Sequence, residues 1–151
     1  DAGSGDELGR IHVYKRTHNT VMGLSGKRVY LSSLAYNYLT VADTATDKVI
    51  GKVGPFSHSI RPFTVNAAET LAFVNVDYLS GFEVGDLKSG KKLFSARVQG
   101  FPWVNPPPPS TQSHGVALSP DGGVAATPVR ARATEAALVG RPFTLARETT
   151  R

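Results

Sequence analysis

The apolar residues of this chain come in short runs rather than in helical stripes. They cluster at Ile11 to Tyr14, Val29 to Leu31, Leu39 to Val41, Val49 to Val53, Leu71 to Val76 and Phe82 to Val84. Gly, Asp, Asn, Ser or Thr bound each run. Those are the turn formers, and short runs rich in Val, Tyr and Phe between them predict β-strands. In Tyr38-Leu39-Thr40-Val41-Ala42 and Gly81-Phe82-Glu83-Val84-Gly85, bulky apolar residues alternate with others. A period of two gives a strand one buried face. Many such strands at close spacing predict an all-β sandwich, barrel or propeller.

Internal repetition selects the propeller. A shift of 43 positions lays residues 18–50 on residues 61–93 without a gap. Tyr30-Leu31 then falls on Phe73-Val74, and Leu39-Thr40-Val41 on Phe82-Glu83-Val84. The turn from Asp43 to Lys48 falls on the turn from Asp86 to Lys91. A third copy begins at Ser113, with His114 on His18 and Asp121-Gly122 on Ser25-Gly26. Its offset from the second copy is 53 positions, and the proline-rich stretch 101–112 accounts for the extra length. A repeat of ~40–45 residues carrying four short strands is a propeller blade. The expected organisation is a partial β-propeller over residues 1–127, built from four-stranded antiparallel blades, with about three blades present. Residues 9–16 read as the outer strand of a preceding blade, 18–60 as repeat one, 61–112 as repeat two and 113–127 as the start of repeat three.

Two segments resemble a known family. Val29-Tyr30-Leu31-Ser32-Ser33, followed by Leu39-Thr40-Val41-Ala42-Asp43-Thr44-Ala45-Thr46-Asp47-Lys48-Val49-Ile50, is similar to the YVTN-type β-propeller repeat. So is His114-Gly115-Val116-Ala117-Leu118-Ser119-Pro120-Asp121-Gly122, which resembles the start of such a blade. The family comprises surface-layer-like proteins and lactonase-like propellers. The resemblance implies a seven-bladed parent and a periplasmic, extracellular or cell-surface setting. A chain that opens on Asp1 without a basic-then-apolar leader fits either a processed protein or an excerpt.

The pattern breaks after Asp121-Gly122. Residues 128–151 hold five Arg, no Lys and no Tyr, with Phe143 the sole aromatic. Two readings fit this Ala/Arg/Thr-rich tail: a natural irregular or helical segment around Ala131 to Val139, or translation out of the native frame from near Gly123. The break also changes the meaning of the net charge of +5. The tail carries five Arg against two Glu, and the rest of the chain has 12 basic and 10 acidic residues. The basic balance therefore belongs largely to the tail, and no nucleic-acid partner is expected. The absence of Cys excludes disulfide scaffolds, zinc–thiolate sites and thiol nucleophiles. No apolar run approaches the ~20 residues of a membrane helix, so no membrane span is expected.

Candidate chemistry lies at equivalent places of the repeats. His18, Arg61 and His114 each stand just before the strand that would be innermost, and equivalent positions in a propeller recur around the central channel. Their side chains are expected to converge on one channel mouth as a ligand-binding site. Clustered imidazoles bind metals, and mixed with Arg they bind anionic groups. Polar residues that simply finish strands beside a wet channel are the plainer explanation. No cofactor is implied, and a divalent metal, if any, would sit on His18 and His114. His58 reads as an exposed loop residue near the same end, and His12 as an outward strand residue.

Several motifs carry less than they promise. Gly85-Asp86-Leu87-Lys88-Ser89-Gly90-Lys91-Lys92 has phosphate-loop spacing but lacks the final Ser or Thr and lies between strands. Gly23-Leu24-Ser25-Gly26 is not a nucleophile elbow. Pro106 to Pro109 favour polyproline II and read as a rigid spacer flanked by Phe101 and Trp103. Asp43, Asp47 and Asp86 read as turn formers rather than calcium ligands.

The sequence thus points to a non-catalytic binding or scaffold module, whose partner is a small molecule or protein at the channel mouth. The remaining blades, or a second copy through open blade edges, are further expected partners. The alternative is a fragment of a propeller enzyme, lactonase-like or metal-dependent, with no catalytic residue assigned here.

Overall fold

A computed structural model describes residues 1, 3–98, 113–118 and, for their backbone, 124–126. The proline-rich stretch 101–112 and the tail 128–151 lie outside the described residues. The chain forms a first sheet from β1 (Thr17–Met22), β2 (Arg28–Ser33), β3 (Tyr36–Asp43) and β4 (Lys48–Val53). A second follows from β5 (Ile60–Val65), β6 (Leu71–Val76), β7 (Gly81–Asp86) and β8 (Lys91–Arg97). Both run in simple antiparallel order, β1-β2-β3-β4 and β5-β6-β7-β8. The short strands β9 (Val116–Leu118) and β10 (Val124–Ala126) pair antiparallel, forming a third sheet of two strands among the described residues. This all-β arrangement is a partial propeller of meandering blades.

The 43-residue offset reappears in the hydrogen-bond ladders. Val29 pairs with Ala42 and Tyr30 with Val41 in the first sheet. Ala72 pairs with Gly85 and Phe73 with Val84 in the second. Irregularities recur at the same offset, between Val41 and Ala42 and between Val84 and Gly85. The turns repeat as well. Asp43 Oδ1 accepts from the amides of Ala45 and Thr46 and from the Thr46 hydroxyl, while Asp86 Oδ1 accepts from the amides of Lys88 and Ser89.

Alternation along the strands decides where the core forms. Tyr30, Leu39, Val41 and Val53 of the first sheet pack with Ile60, Phe63, Ala72, Val74 and Val76 of the second. Phe73, on the opposite face of β6, joins Phe82 and Val84 against Val116 and Leu118 of the third sheet. One strand thus feeds two inter-sheet cores, which is what period-two patterning buried on both faces produces. A polar tie supports the first core. Glu69 accepts from the Ser25 amide at 2.8 Å and from the Tyr30 hydroxyl at 2.9 Å, joining the sheets at the end away from the candidate site.

One expected element is absent. Residues 9–16, including the apolar run Ile11 to Tyr14, form no strand. No neighbouring strand among the described residues offers this segment a ladder, and Arg16 turns the chain through a φ of 59° immediately before β1. The segment is held by other means. Tyr14 stacks on Tyr36 with ring centres 4.3 Å apart, Ser33 Oγ donates to Lys15 O at 2.7 Å, and the Leu34 amide donates to Arg16 O at 3.0 Å. His12 is consequently not a strand residue. With Val13 and Tyr14 it borders a groove of about 470 Å³ against Thr40, Gly51 and Lys52 of the first sheet.

Candidate functional site

β1, β5 and β9 lie side by side, with β5 packed against both others, so the first strands of the three sheets occupy neighbouring positions. His18 lies in β1 and Arg61 in β5, rather than just ahead of them, while His114 precedes β9 by two residues.

Both strand-borne residues sit in a break of the ladder. Thr17 pairs with Ser33 and Thr20 with Leu31, so His18 and Asn19 together oppose Ser32. Ile60 pairs with Val76 and Phe63 with Val74, so Arg61 and Pro62 together oppose Asn75. An extra residue of this kind bends the strand and re-aims its side chains, and it accommodates a proline that lacks an amide hydrogen. The residues opposite are the buried polar pair Ser32 and Asn75. Ser32 Oγ accepts from the Asn19 amide at 3.0 Å and satisfies the bulged backbone.

Asn75 performs a similar service for the third sheet. Oriented by its surroundings, its amide nitrogen donates to Gly81 O at 3.2 Å and its oxygen accepts from the Gly115 amide at 3.3 Å. On the other side of His114, the buried Ser113 Oγ accepts from the Gly81 amide at 2.8 Å. His114 is therefore bracketed by two residues anchored to the second sheet. Its ring meets that of His18 edge to face, with centres 6.2 Å apart and planes 87° apart. Both histidines are exposed, so the pair is open to solvent and to a ligand.

Arg61 lies on β5, the strand packed against both β1 and β9, and its charge is balanced. Its Nε donates to Asp77 Oδ1 at 2.6 Å, and the two side chains are only 13% and 8% exposed. Asp77 was not legible as a site residue, because its repeat partner is Leu34 and the 43-residue comparison gives no acidic signal there. His58 stands apart as an exposed loop residue whose ring meets Tyr78 at 4.9 Å. Among the described residues no group of three or more His, Asp or Glu is placed to hold a metal ion. The arrangement offers two imidazoles and a guanidinium–carboxylate pair, which is equipment for binding a polar group.

No family model matches the chain, and no curated protein is similar to it in sequence. Solved structures do match. Hydrazine synthase from Kuenenia stuttgartiensis, a β-propeller-containing protein, aligns over 81% of this chain with a TM-score of 0.66 and 16% identity. The chain spans 32% of the length of that protein. At this identity the likeness shows the fold alone, and it agrees with the propeller-like sheets.

Proposed function

We propose that the chain is part of a non-catalytic binding or scaffold propeller that holds a polar ligand at the channel mouth, between His18, Arg61 and His114. The observation that carries this reading is the meeting of His18 and His114, 96 positions apart in sequence, at equivalent places on the first and third sheets. The matching bulges at His18 and Arg61 support it, because a break in the ladder costs pairing and persists where a side chain has to be re-aimed. The YVTN-type assignment, the seven-bladed parent and the exported or cell-surface setting belong to the same proposal. They rest on residues 29–33, 39–50 and 114–122. Completion by further blades, or association of copies through open blade faces, follows from the need of a propeller to cover its sheet edges.

The test is a ligand screen read by the histidine ring resonances of the full chain. Ligands of the site shift His18 and His114 together and leave His12 and His58 in place. Ligand shifts confined to His12 or His58 would remove the channel-mouth proposal. Turnover of a lactone panel, lost on replacing His18 or His114, would move the reading to the enzyme class.

A further inference from the structure

We infer that His18 and His114 form a two-imidazole site for a divalent transition-metal ion, of the zinc or copper class, that pins the first sheet to the third. The inference deepens the channel-mouth reading by naming the ligand, and it rests on that reading. Its basis is geometric. A metal about 2.1 Å from each ligating nitrogen, with each ring centre roughly 1.1 Å behind its nitrogen, puts two imidazole centres about 5.2 Å apart at a tetrahedral angle and about 6.4 Å apart in a linear one. The His18 and His114 rings are 6.2 Å apart with their planes nearly perpendicular. Both side chains are exposed, and rotation about their torsions is the movement that would turn both nitrogens toward one ion.

The charge on the intervening strand is balanced. Arg61 on that strand would repel a cation, but Asp77 neutralises it through the 2.6 Å contact between Nε and Oδ1. The two imidazoles are the metal-binding donors of the mouth. The chain contains no cysteine and four histidines, so His12 and His58 are the only other imidazoles that can compete. With two protein ligands, water fills the remaining coordination positions. Imidazole suits zinc and copper better than magnesium or calcium, which prefer oxygen.

The backbone around the pair is already fixed. Ser32 supports the bulge at His18, and Ser113 and Asn75 hold the residues flanking His114. An ion bridging the rings adds a direct link between the first and third sheets, each of which packs on the second. Binding to the folded chain alone raises thermal stability, by an amount that grows with the logarithm of free metal above the Kd.

The experiment is titration of the full chain with Zn²⁺ by calorimetry, with thermal melts in parallel. One equivalent is expected to bind, to raise the melting temperature, and to weaken by at least about tenfold in His18→Ala and in His114→Ala. His12→Ala and His58→Ala are expected to bind like the parent. Failure of Zn²⁺ to bind, or unchanged binding in the His18→Ala/His114→Ala double variant, overturns the proposal. Should an alanine variant fail to fold, the Cu²⁺ electron paramagnetic resonance spectrum of the parent decides. Coupling to two imidazole nitrogens sustains the site, and one or none removes it. Loss of the metal result with retained ligand shifts at His18 and His114 would end this inference and leave the channel-mouth reading standing.

Discussion

Glu83 is buried on β7 with its side chain 1% exposed, and its carboxylate is fully engaged. Lys92 Nζ donates to Oε1 at 2.5 Å, Ser95 Oγ donates to the same oxygen at 2.7 Å, and the Ser57 amide donates to Oε2 at 2.8 Å. Burial pushes this carboxyl up, and the hydrogen bonds from Lys92, the Ser57 amide and Ser95 outweigh it, so it titrates below its ordinary value of 4.5. A carboxyl lowered in the folded state contributes stability that is fully present above the unfolded value and is lost as pH falls through the folded one. The urea midpoint of the chain is therefore expected to drop as pH falls below about 5. Glu83→Gln is expected to flatten that dependence and to cost about 1–3 kcal/mol at neutral pH. Lys92 is partly exposed, which screens the Coulombic share of the pair. In the sequence Glu83 looks like the polar member of an alternating strand, and its repeat partner is Thr40. Nothing local announces that both faces of β7 are covered, so this carboxylate was invisible before its partners were in place.

Turns and strands differ in how far local chemistry settles them. Asp43 and Asp86 were readable as turn formers because the groups they bind lie within three residues. Asp43→Ala and Asp86→Ala are each expected to lower stability by about 0.5–1.5 kcal/mol in urea melts. The run Ile11 to Tyr14 looks as strand-like as Leu71 to Val76, yet residues 9–16 form no strand. A strand needs a neighbour's ladder, and that neighbour is not written in the segment itself. Gly81 makes the same point from the opposite side. It opens β7 at a φ of 144°, and a Cβ there would stand 2.0 Å from the carbonyl oxygen of Ala96 on β8. Its repeat partner is Tyr38, so the glycine is a requirement of this one hairpin rather than of the repeat. Gly81→Ala is expected to cost more than about 2 kcal/mol, seen as a lower melting temperature, because backbone rather than a movable side chain is in the way.

At the scale of the molecule, the first two sheets share one core and should unfold together. Leu39 is fully buried in it, and Leu39→Ala is expected to cost about 2–5 kcal/mol while the transition stays single in urea. Val49, half-exposed on the outermost strand of the same sheet, is expected to tolerate alanine within about 0.5 kcal/mol. By itself the sequence determined the all-β class, the 43-residue repeat and the chemistry of the turns. These follow from alternation and spacing, which are properties of neighbouring residues and of a period. Only the tertiary structure decided that His18 and Arg61 ride on bulges, that Asp77 balances Arg61, and that the two histidine rings meet. Each of those depends on which strand lies opposite which, and contacts across sheets leave no mark on the short stretches they join.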